Sequence, residues 1–184
     1  MIDIRQFEIG TFRRFLYIAT SMKGRKNYPS DTLISFLLWV FPLTYLIHIA
    51  EEYWGGEGYP AYILRLRGVH LSTARFLVAQ SVGFVLVTMG VILARHFNFR
   101  QMMLITLAAI VSVNGITHAV TSLSVLSYGP GLFTSVFIWM PLGIFVLFRF
   151  KDAISRKRYR VAIAIGLGVN VVIGIFTMRG GRVV

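Results

Sequence analysis

A chain of 184 residues that is 56% hydrophobic and 14% charged is much more apolar than a soluble domain, where about a quarter of residues are charged. The formal net charge is +12, but the basic residues lie in short stretches between apolar runs. That pattern fits membrane orientation and anionic head groups and argues against a nucleic-acid partner. The chain has no cysteine, which excludes disulfides, thiolate nucleophiles and cysteine metal sites.

Residues 1–31 mix arginines and lysines with Phe7, Phe12, Phe15 and Leu16. These apolar positions form one stripe on a helix, so an amphipathic helix lying on the membrane surface is expected, with a basic tail as the alternative for 20–31. The segment lacks the basic, apolar and small-residue order of a signal peptide and is expected to stay in the mature protein. Ser30-Asp31-Thr32 can cap a following helix.

Five apolar runs follow, at about 32–49, 74–94, 102–126, 132–148 and 161–178, each long enough to cross a bilayer as a helix. The first can continue helically through Glu52. The fourth contains Pro141, where a kink is expected. The fifth carries Gly166, Gly168 and Gly174, small residues that permit close helix packing. The predicted fold is therefore all-α. It is a single bundle domain of about five transmembrane helices over 32–178, preceded by the interfacial segment 1–31 and followed by a short tail, 179–184.

Of the 19 lysines and arginines, 14 fall on one side of this arrangement and 5 on the other. The positive-inside bias predicts a cytoplasmic N-terminus and an external C-terminus in a plasma membrane, bacterial or archaeal in character. His48 then sits 16 residues past Thr32, and His118 lies 16 residues into the third span, which runs the same way. Both fall about 24 Å along helices that rise 1.5 Å per residue. The two histidines are thus expected at the same depth, near the external face.

Ionisable residues in spans are costly and usually face a cavity or a partner. His48, Glu51 and Glu52 share one helical face, and Asn114 shares a face with His118 four residues on. Two imidazoles with one or two carboxylates suit a divalent metal, zinc first, with iron or manganese as alternatives. One glutamate would ligate and the other would act as general base on an ion-activated water. Asn114 would polarise or orient, and Tyr128 would serve as donor or acid.

The residues leave other readings open. A metal-free imidazole–carboxyl pair can run acid–base chemistry such as isomerisation. A binder or transporter would need polar groups deep in the bundle, and the span centres hold almost no charge. In a purely structural reading Glu51 and Glu52 pair with Arg65 or Arg67 in the head-group layer, and His118 makes a helix–helix hydrogen bond. His70 and His96 read as surface residues, Trp39, Trp54 and Trp139 as core or interface aromatics, and Asn170 as a helix-packing donor.

Three motifs occur once each and in order: His48-Ile-Ala-Glu51-Glu52, Asn114-Gly-Ile-Thr-His118 and Tyr128-Gly-Pro130-Gly131. On these the chain resembles the HXXEE-motif membrane proteins over roughly 32–178. The resemblance implies a polytopic membrane protein with enzymatic character and strengthens the site more than any substrate.

The expected function is that of an integral membrane, metal-dependent hydrolase of a lipid or other amphipathic molecule. Its metal ligands would be His48, Glu51 and His118, its base Glu52, and its polarising groups Asn114 and Tyr128. The exchange of roles between the two glutamates stays open.

Overall fold

The computed structural model describes residues 30–178. Residues 1–29 of the expected interfacial segment and the whole tail, 179–184, lie outside them. The described part is helical throughout, with no strand. In chain order the helices are α1 (Asp31–Trp54), α2 (Tyr59–Arg67), α3 (Thr73–His96), α4 (Arg100–Ser124), α5 (Leu132–Arg149) and α6 (Arg156–Met178). All but α2 are long and apolar enough to cross a membrane, and they match the five expected runs.

Local chemistry sets the boundaries. Ser30 caps α1, its hydroxyl accepting from the Leu33 amide at 3.2 Å, and the helix runs past Glu52 to Trp54. Ser72 caps α3 in the same way. The short α2 lies inside what the sequence reads as a plain loop. Pro60 stands in its first turn and Gly68, left-handed at φ 63°, ends it.

Pro141 has no amide hydrogen, and its ring crowds the carbonyl one turn back. Helix α5 responds with a π-helical turn over Ser135–Trp139, in which the Met140 amide donates to the Ser135 carbonyl. The widened turn stands where a kink is expected from sequence.

Helix α4 is the central element, touching α1, α3, α5 and α6. At the Ser30 end of the bundle the contacts are apolar: Ile34, Leu38 and Phe41 of α1 meet Leu104, Ile105 and Ala108 of α4, with Val91, Val146 and Phe150 around them. Helix α6 packs on α4 through Gly166. A methyl there would come 2.7 Å from Ala109 Cβ and 2.9 Å from the Thr106 carbonyl oxygen. Gly168 and Gly174 touch nothing in this way, so of the three small residues only Gly166 makes a close approach. Asn170 donates to the Ile110 and Gly166 carbonyls at 3.2 and 3.0 Å, the helix-packing role expected for it.

Candidate metal centre

At the other end of the bundle the interior turns polar. His48 and Glu52 stand one helical turn apart on α1, and α4 brings His118 beside them. The two imidazole rings lie 5.1 Å apart, edge to face, although 70 residues separate them in sequence. Glu52 Oε1 is 3.6 Å from His48 Nε2 and 3.5 Å from His118 Nε2. His48 and Glu52 are 2% and 4% exposed, so bulk water does not screen that pair, while His118 is partly buried.

These distances discriminate between chemistries. A nitrogen–oxygen hydrogen bond is about 2.7–3.2 Å long. Two ligands each about 2.1 Å from a tetrahedral ion lie about 3.4 Å apart. The carboxylate oxygen therefore stands from each imidazole at a spacing suited to a shared ion. All three ligand atoms fall within 4.8 Å of one another, so a small side-chain contraction completes the set.

The tautomer of His48 supports the same geometry. The Thr134 hydroxyl has one proton and donates it to the Gly131 carbonyl at 3.2 Å. In that arrangement it accepts from His48 Nδ1, 2.7 Å away. With Nδ1 protonated, Nε2 presents a lone pair toward Glu52. A divalent ion between that lone pair and the carboxylate oxygen would satisfy both. Trp139 completes the floor: its ring lies 3.8 Å from His48 at 30°, and its indole N–H donates to Thr44 at 3.3 Å.

Glu51 sits elsewhere. Its Oε1 accepts from the Phe133 amide and the Tyr128 hydroxyl, both at 2.8 Å, and its Oε2 accepts from the Thr134 amide at 2.7 Å. These amides belong to the first turn of α5, so Glu51 caps a helix it is not part of. The sequence reading gives Glu51 to the ion and Glu52 to the base; the structure places Glu52 with the histidines and Glu51 on the α5 terminus. Tyr128, expected as a donor or acid, donates instead to Glu51. Burial, together with that bond, pushes its phenol pKa up.

The Glu51 clamp presses the Gly129-Pro130-Gly131 turn against the cluster. Gly131 is left-handed at φ 87°, and a methyl there would come 2.8 Å from His48 Cε1 and 2.9 Å from His118 Cε1. Only glycine meets both requirements. Asn114 lies one turn along α4 from His118. Its amide oxygen is buried and has no hydrogen-bond partner among the described residues.

Three contributors escape the sequence reading. Gln80 of α3 donates to Glu52 Oε2. An amide in an apolar span is a legible signal, by the same reasoning that singles out His118. Thr134 and Tyr45 carry no such signal, since a lone threonine or tyrosine in a span is ordinary.

A family model described as a protein of unknown function with HXXEE motif matches residues 39–146. The chain belongs to this family. The matched stretch runs from α1 into α5 and so contains the whole cluster, its clamp and the glycine turn; it is shorter than the resemblance read from the three motifs. In this member the signature His and the second signature Glu face the cluster, while the first Glu caps α5. No curated protein and no solved structure matches the chain.

Proposed function

We propose that this HXXEE protein is an integral membrane enzyme that holds a divalent metal, zinc first, on His48, Glu52 and His118 and hydrolyses a lipid or other amphipathic substrate. The observation that carries the reading is the pair of 3.5 and 3.6 Å separations between one carboxylate oxygen and two imidazole nitrogens, a spacing suited to ligands of one ion. Two histidines and a glutamate leave a coordination position open, as catalytic zinc sites do.

The chain's own residues then divide the work. Thr134 holds the His48 ring in the tautomer whose Nε2 ligates. Trp139 and Gly131 exclude water from two sides. Asn114, with its unpartnered amide oxygen, is free to accept from a substrate donor or to orient a water. Both glutamates are occupied, so the spare-carboxylate base expected from sequence has no residue to serve it. A bound ion supplies Lewis acidity strong enough to ionise a water near neutral pH without one. The positive-inside bias supports a site at the external face, open to substrates from the outer leaflet.

The test is metal content. Protein purified in detergent without a histidine tag is read by elemental mass spectrometry beside a His48→Ala, His118→Ala double variant. About one zinc, iron or manganese per chain is expected in the parent and none in the variant. A folded parent that stays empty with added ions would transfer the reading to metal-free imidazole–carboxylate chemistry.

A further inference from the structure

Glu52 has two oxygens, and only Oε1 faces the histidines. Oε2 accepts from the Gln80 side-chain amide. Gln80 Oε1 in turn accepts from the Tyr45 hydroxyl at 2.7 Å. The chain of contacts thus returns to α1, two turns before Glu52. Helix α3 is shaped for it: Gly83 lies on the same face three residues after Gln80, and a methyl there would collide with the Tyr45 hydroxyl. Gln80 is the only Asn or Gln in α3, and α3 otherwise contributes few buried side chains, with Phe76, Val91 and Ala94 the fully buried ones.

An amide has two ends, and here each finds its complement. Its N–H donates to Glu52 Oε2, which turns that oxygen away from the histidines. Its carbonyl is fixed by Tyr45, which prevents the amide from flipping to present oxygen to oxygen. Without this arrangement a glutamate with three free torsions could chelate through both oxygens or swing toward Glu51's neighbours. A ligand held in one rotamer by an outer partner binds metal more tightly than a free one.

We infer that Gln80 and Tyr45 are positioning residues for the metal centre, holding Glu52 as a single-oxygen ligand and leaving room for a water or substrate oxygen. This rests on the metal reading above and extends it to α3, which reaches the cluster through Gln80.

The experiment measures zinc affinity by competition with a chromophoric chelator, and cobalt absorption, on full-length protein in detergent. The parent is compared with Gln80→Leu, Tyr45→Phe and, as a control in the same helix, Thr88→Val. Gln80→Leu should weaken zinc about 10- to 100-fold and alter the cobalt spectrum, since freeing Glu52 changes coordination number. Tyr45→Phe should weaken it several-fold in the same direction, and Thr88→Val should leave both unchanged. A parent that binds no zinc would defeat the metal reading itself. A parent that binds, with Gln80→Leu within about twofold and its cobalt spectrum unchanged, would overturn the positioning role alone. Should Gln80→Leu fail to fold, an unaltered affinity and spectrum in folded Tyr45→Phe would overturn it equally.

Discussion

The two ends of this bundle are built from the same helices by opposite rules. Toward Ser30, α1 buries Ile34, Leu38 and Phe41 against Leu104 and Ile105 of α4, and the polar contacts there, such as Arg100 with Asp31, lie at the rim. Toward Trp54, the same α1 buries His48 and Glu52, whose side chains meet Thr134 of α5, Gln80 of α3 and His118 of α4. Dispersion contacts are additive and forgiving, so the apolar end tolerates exchange among residues of like volume. Hydrogen bonds in a dry interior are directional, and leaving one partner unsatisfied costs more than the bond contributes. The apolar end can therefore act as a rigid base while the polar end carries the chemistry.

The strongest way to break this contrast is Gly131→Ala. Its methyl would meet both imidazoles at a backbone angle that L-residues avoid. Zinc affinity should fall by more than about 100-fold, read by chelator competition, and thermal stability should drop by about 1–2 kcal/mol from the left-handed backbone alone. An affinity within threefold of the parent would mean that the glycine turn does not touch the working site.

Glu51→Gln and Glu52→Gln, neighbours in sequence, sharpen it further. Glu52→Gln should remove the metal. Glu51→Gln should keep stoichiometric metal but destabilise the fold by about 1–3 kcal/mol, because its NH2 must face one of three donors that now meet carboxylate oxygens. Metal loss from Glu51→Gln with metal kept in Glu52→Gln would reverse the assignment of the two glutamates.

The smallest effect is expected at the apolar end. Leu38→Ala leaves a cavity, but in lipid there is little transfer term to lose, since the acyl chains are as apolar as leucine. A loss of about 1–2 kcal/mol in chemical denaturation is expected, with metal content unchanged. If this variant emptied the site, the two ends would not be separable.

Much of the fold was legible in the primary structure because a bilayer leaves few choices. Apolar runs of sufficient length must become helices there, and all five appear within a few residues of their expected positions. Ser30 is a cap by side-chain chemistry alone. The equal depth of His48 and His118 follows from counting residues along helices of fixed rise. Helix α2 was less legible, because nine residues of mixed polarity carry too little periodicity to stand out in a loop. The π turn was legible only as a kink, since proline says that the ladder breaks and not how the neighbours re-pair.

What the sequence by itself determined was the set of groups: one helical face bearing His48, Glu51 and Glu52, a histidine on a second helix at the same level, and a glycine turn nearby. What only the tertiary structure decided was the division of labour among them. On a helix with about 100° between successive residues, Glu51 and Glu52 flank His48 on opposite sides. The α5 terminus lies beside one and α3 and α4 beside the other, so one carboxylate became a helix cap and its neighbour a ligand. That choice depends on how whole helices pack around α1, which no spacing within α1 encodes.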